Sequence, residues 1–109
     1  MHNNKPIGVF DSGIGGLTVV KRFSANLPNE NIIYFGDTAR VPYGSKSNST
    51  VIEYSIQNTN FLLNRNVKAV VVACNTASSV AISTLKEKFN VPVIGMIKPG
   101  LRASASSFS

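Results

Sequence analysis

Four short apolar runs punctuate the chain, and the stretches between them carry apolar residues at helical spacing. The runs are Pro6-Ile7-Gly8-Val9-Phe10, Asn31-Ile32-Ile33-Tyr34-Phe35-Gly36, Lys68 to Ala73, and Val91-Pro92-Val93-Ile94-Gly95-Met96. Each has the length and the β-branched or aromatic character of a strand. The third run does not alternate, which predicts a strand covered on both faces. Pro92 suits a strand start or an edge position. Leu17, Val20 and Phe23 mark one face of a helix that runs to about Asn26, where Leu27-Pro28-Asn29 breaks it. Ile52, Ile56, Thr59 and Leu63 mark a second helix ending near Asn66, and Thr50 with Glu53 three residues on has the form of a capping box at its start. Ala77, Ala81, Leu85 and Phe89 recur every four residues and mark a third.

This alternation predicts an α/β fold, a three-layer arrangement with a parallel sheet and right-handed crossovers. A flavodoxin-like strand order, 2-1-3-4, makes the first and third strands neighbours and puts a switch point between them. Ligands in such sheets bind beyond the C-terminal strand ends. Asp11, Asp37, Cys74 and Lys98 each fall just past a strand, so all four are expected on one rim. Two connections there stand out. Asp11-Ser12-Gly13-Ile14-Gly15-Gly16 is a glycine-rich turn. Thr38 to Asn48, with Val41-Pro42-Tyr43-Gly44, is long for a strand-to-helix connection, and long loops in compact domains are often functional.

Composition narrows the classes. The 109 residues suffice for one domain with one core. The net charge of +6 comes from 11 basic and 5 acidic residues, but the basic ones are scattered and not interleaved with aromatics. That favours a solvated surface over a nucleic-acid interface. One cysteine excludes an intrachain disulfide and makes a reducing, cytoplasmic compartment the expectation. With one Cys and one His, His2, no metal site is expected and no Cys–His pair. The N-terminal residues show no signal-peptide pattern, and no apolar run is long enough to span a bilayer.

Cys74 is the most suggestive residue. It sits where a buried strand turns into a helix, with Asn75 and Thr76 as turn and cap residues. Backbone N–H groups and the helix dipole there would favour a thiolate. A small buried hydrophobe closing a strand is the plain alternative. Asp11 reads equally as a helix cap or as a carboxylate that steers a proton or holds an ammonium. Tyr43 reads as a surface residue, or as a rigid wall and hydroxyl of a pocket. The glycine turn invites a dinucleotide reading. Against it, Thr18 stands where the fingerprint wants glycine or alanine, and Asp11 at the turn's mouth would repel a pyrophosphate.

Three segments, Asp11 to Leu17, Gly36-Asp37-Thr38-Ala39-Arg40-Val41-Pro42-Tyr43-Gly44 and Ala73-Cys74-Asn75-Thr76-Ala77-Ser78, in this order and spacing, resemble bacterial glutamate racemases. The resemblance runs from about Pro6 to about Gly100. It implies a cofactor-independent racemase that interconverts L- and D-glutamate and supplies D-glutamate for peptidoglycan. It implies two cysteines on opposite faces of the substrate Cα, one acting as thiolate base and the other as thiol acid. Cys74 matches the first and Asp11 the acid beside it. Ser12, Pro42, Tyr43, Gly44, Asn75 and Thr76 match residues around the substrate. It also implies a two-domain enzyme, homodimeric when complete, with glutamate as its small-molecule partner.

Two departures shape the expectation. The second cysteine of the family pattern is absent from these residues, and Lys98 stands where the family has glutamate. Residues 1–100 are therefore expected to form the first racemase domain and 101–109 a truncated, disordered tail. The chain is expected to hold half an active site, and to be inactive and poorly soluble alone. The rival readings are a nucleotide-binding α/β module, which predicts phosphate at Gly13 to Gly16, and a non-catalytic remnant that only binds partners.

Overall fold

The computed structural model describes residues 4–13 and 16–96. The expectations at His2, Ile14, Gly15, Lys98 and residues 101–109 lie outside the described residues. Four strands, β1 (Ile7–Asp11), β2 (Ile32–Gly36), β3 (Ala69–Val72) and β4 (Val93–Gly95), alternate with helices α1 (Gly16–Asn26), α2 (Asn48–Leu63) and α3 (Asn75–Lys88). The strands form one parallel sheet in the order β2-β1-β3-β4. The predicted order and the β1/β3 neighbour relation both hold.

The continuous apolar run of β3 explains the three layers. Val70, Val71 and Val72 are all buried. Val70 and Val72 join Phe10 in a core under α2 and α3, which supply Val51, Leu62, Ala77, Ala81 and Leu85. Val71 turns the other way and joins Val9 and Ala73 in a second core, packed against Val19, Val20 and Phe23 of α1. Alternate side chains of one strand thus serve two hydrophobic layers. Burying a valine fully is worth about 1.5–3 kcal/mol, so this triplet anchors the sheet to both helix layers.

The structure corrects the second helix in three ways. Ser47, and not Thr50, is its N-cap, accepting from the Thr50 N–H at 3.2 Å. Ser47 thus engages the first turn, and Thr50 is already helical. Of the expected Ile52–Ile56–Thr59–Leu63 stripe, Thr59 is buried while Ile52, Ile56 and Leu63 are only half-buried, and the buried face runs through Val51, Ser55, Asn58, Thr59 and Leu62. Polar residues are stable there because Ser55 and Thr59 each donate to the carbonyl four residues back at 2.8 Å, which satisfies their hydroxyls inside the helix. The helix stops at Leu63, and Asn66 then takes a left-handed backbone with φ 63°. In smaller corrections, Asp11 is the last residue of β1 and not the first beyond it, and β4 starts only after Pro92.

Candidate functional site

The rim at the C-terminal strand ends is assembled from three turns. The first follows β1. Gly13 has φ +101°, and a Cβ there would lie 2.8 Å from Thr38 Cγ2 and 3.0 Å from its Cα. Only glycine fits this turn against the loop that follows β2. The third turn follows β3. Ala73 N donates to Phe10 O at 2.8 Å, which prolongs the β1–β3 ladder by one step. Cys74 is next and is the N-cap residue of α3, with no hydrogen bond from its side chain to the helix. The sulfur is therefore not consumed by capping. Ser78 ties this turn to the sheet, donating to Val72 O at 2.9 Å and accepting from Met96 N at 3.1 Å.

The middle turn, after β2, holds most of the polar structure. Two short 3-10 turns, Thr38–Arg40 and Tyr43–Ser45, flank a cis Val41–Pro42 bond. Asp37, nearly fully buried, is the hub. It accepts from Arg40 Nε at 2.9 and 3.2 Å, from the Tyr43 hydroxyl, and from Asn58 Nδ2 at 3.3 Å. Asn58 Nδ2 also donates to Tyr43 Oη at 2.8 Å, and Arg40 reaches Gln57 and stacks 4.0 Å from the centroid of the Tyr54 ring. Burial, followed by the Asp37 hydrogen bond, pushes the Tyr43 phenol well above its ordinary value. This cage clamps the Pro42–Gly44 segment onto α2. The expectation that the Tyr43 hydroxyl faces a ligand is corrected: Asp37 and Asn58 hold it in the interior, and Tyr43 offers the site only a wall.

Between these turns lies a cavity of about 200 Å³. Ser12 lines it from the first turn, Pro42, Tyr43 and Gly44 from the second, and Ala73, Cys74, Asn75 and Thr76 from the third. The size suits a compact ligand; sites for drug-sized ligands run to roughly 300–1,000 Å³. Seven candidate residues from three distant segments meet here. The α3 N-terminus adds backbone donors and a positive dipole end, suited to a carboxylate. Among the described residues no group of three or more His, Cys, Asp or Glu side chains is placed to hold a metal.

Asp11 is not one of the lining residues. Its side chain is wholly buried, and its Oδ1 accepts from the Gly13 N–H at 2.9 Å and the Tyr34 hydroxyl at 2.8 Å. Oδ2 is buried without a hydrogen-bond partner among the described residues. The carboxylate closes the turn through the Gly13 N–H, and α1 starts five residues on at Gly16. The Gly13 N–H is thereby occupied by protein, which weakens the phosphate reading of the glycine turn. Sequence reasoning missed Tyr34, Arg40 and Asn58. The signal for Asn58 was an amide seven residues after Val51 and four before Leu62, in register with the buried helix face.

No family model matches the chain. A glutamate racemase of Geobacter metallireducens is 55% identical over 102 residues, covering 94% of this chain and 38% of that protein. The crystal structure of glutamate racemase from Thermus thermophilus, in complex with β-chloro-D-alanine, superposes with a TM-score of 0.84 at 55% identity, covering 92% of this chain and 39% of that one. Glutamate racemase from Francisella tularensis, in complex with D-glutamate, superposes with a TM-score of 0.79 at 54% identity over 84% of this chain and 35% of that one. In sequence and in fold alike, the chain is similar to part of these glutamate racemases, and it spans about 38% of the length of the curated relatives it matches.

Proposed function

We propose that the cavity is one half of a glutamate racemase site, with Cys74 as the base on one face of the substrate Cα. The observation that carries this reading is the convergence of Ser12, the Pro42–Gly44 segment and Cys74-Asn75-Thr76 on one compact cavity. The α-carboxylate is held by the start of α3, with Asn75 and Thr76 beside it. The Cys74 thiolate takes the α-proton, and the electron pair of the broken C–H bond delocalises into the carboxylate, where helix N–H donors stabilise the growing charge. A thiol on the opposite face, supplied from outside these 109 residues, returns a proton and inverts the centre. No cofactor takes part. Asp11 is buried and lies outside the cavity lining, so in this reading it acts indirectly, steering a proton at Cys74 from behind the wall to which Ser12 contributes, without touching the substrate.

The complete enzyme in this reading is a cytoplasmic homodimer that supplies D-glutamate for peptidoglycan, with residues 1–100 as its first domain. The related Francisella enzyme was crystallised with D-glutamate, which supports glutamate as the ligand. The test is amide NMR of the 109-residue chain titrated with glutamate. Saturable shifts at Ser12, Gly44, Asn75 and Thr76 are expected. Shifts at Gly13 and Gly16 with a nucleotide, and none with glutamate, would favour the phosphate-binding alternative.

A further inference from the structure

The carboxylate of Asp11 is asymmetric: among the described residues two donors converge on Oδ1 and none reaches Oδ2. One donor, the Gly13 N–H, is local. The other comes from the neighbouring strand. Tyr34 pairs with Val9 in the β1–β2 register, and Asp11 pairs with Gly36. The phenol therefore crosses diagonally over Gly36 to reach Asp11, a reach that long side chains on one sheet face can make. Gly36 makes the crossing possible. A Cβ there would lie 2.7 Å from Tyr34 Oη and 3.2 Å from Cζ, inside contact distance of the ring. Three residues on two strands thus form one device, and none of them lines the cavity.

We propose that Tyr34 is the positioning residue of Asp11: with the Gly13 N–H it fixes one carboxylate oxygen and leaves the other, Oδ2, as the atom with capacity for a proton. This rests on the reading of Asp11 as a participant in the racemase site. A fully buried carboxylate with one bare oxygen is costly unless something completes it. The geometry supplies the asymmetry that a directional proton contact requires. Tyr34 is a suitable holder because burial and then the Asp11 bond and charge push its phenol up to about 12, so it stays a neutral donor at physiological pH.

The test uses the 109-residue chain labelled with tyrosine carrying carbon-13 at Cζ, titrated by NMR. In Asp11→Asn the Tyr34 midpoint is expected to fall by roughly one unit from its value near 12, because the charge and the strong acceptor are gone. An unchanged midpoint overturns the coupling. In Tyr34→Phe and in Gly36→Ala the Gly13 amide and the Asp11 carboxyl carbon are expected to shift together while α2 and α3 signals stay in place. Unmoved Gly13 and Asp11 signals overturn the positioning role. If either variant fails to fold, the Asp11→Asn titration still decides. Solvent exchange of the glutamate α-proton on the same samples tests the other reading separately. Exchange that survives Asp11→Asn unchanged, with the Tyr34 coupling intact, removes Asp11 from the reaction and leaves Tyr34 as its holder.

Discussion

Replacing Tyr43 with phenylalanine separates a structural phenol from a substrate-facing one. The residue is 1% exposed, and its ring fills interior space that phenylalanine fills equally, so no cavity opens. What is lost is the hydroxyl, which donates to Asp37 Oδ2 and accepts from Asn58 Nδ2 at 2.8 Å. Asp37 keeps Arg40 Nε and Asn58 Nδ2, so its charge is not orphaned. Asn58 Nδ2 keeps Asp37 as acceptor. The cost is therefore that of one buried hydrogen bond to a charged group, about 1.5–3 kcal/mol. Total stability for such a domain is about 5–15 kcal/mol, so this is a large fraction. A domain of this size loses about 4–8 °C in Tm per kcal/mol, which predicts a drop on the order of 10 °C. Urea and thermal unfolding followed by circular dichroism read both quantities, with the m-value unchanged. A loss below about 0.5 kcal/mol, accompanied by weakened glutamate binding, would return the hydroxyl to the ligand and refute the cage.

Further expectations follow from single contacts. Gly44→Ala should leave stability within about 0.5 kcal/mol, since the nearest atom to a new Cβ is Thr76 Oγ1 at 3.8 Å, yet weaken glutamate binding by narrowing the cavity; equal binding in the two proteins would contradict its place in the wall. Gly13→Ala should cost about 1–3 kcal/mol in urea unfolding, because it strains a φ of +101° and meets Thr38 Cγ2 at 2.8 Å; a neutral variant would contradict the turn geometry. The phenol of Tyr34 is raised in the folded state to about 12 against about 10 unfolded, so its contribution to stability is full below about pH 10 and is lost as pH rises through about 12. Unfolding free energy measured from pH 9 to 12 should fall more steeply for the wild type than for Tyr34→Phe; parallel curves would contradict the shift.

Much of this was readable from residue pattern, and the failures have physical causes. The Val70-Val71-Val72 run announced a strand buried on both faces because parallel strands under two helix layers need apolar residues at every position. Cys74 at the start of α3 followed from the abrupt change of period after Ala73. Thr59 lies on the buried face as its spacing implied, but the rest of the second helix's stripe was misplaced by one residue because it was read without Ser55, whose hydroxyl vanishes into the helix backbone. Its cap was read from Thr50 because the Thr50–Glu53 spacing fits a capping box, whereas Ser47 holds the first turn. The Asp37 cage was hidden for another reason: Arg40, Asn58 and Gln57 come from a loop and a helix whose juxtaposition no local pattern reports. Tyr34 was invisible as a partner of Asp11 because the contact depends on strand register and on the missing Cβ of Gly36.

The central claim is that Cys74 is a one-sided base in a half-site, and proton NMR of D- and L-glutamate in D2O with the purified 109-residue chain addresses it most directly, with Cys74→Ser as the control. Inversion needs proton transfer on both faces of the Cα, and these 109 residues contain one cysteine. The account predicts no interconversion of the enantiomers and, at most, slow exchange of the α-proton of one enantiomer that disappears in Cys74→Ser. Interconversion that depends on Cys74, or exchange that persists equally in Cys74→Ser, would contradict it.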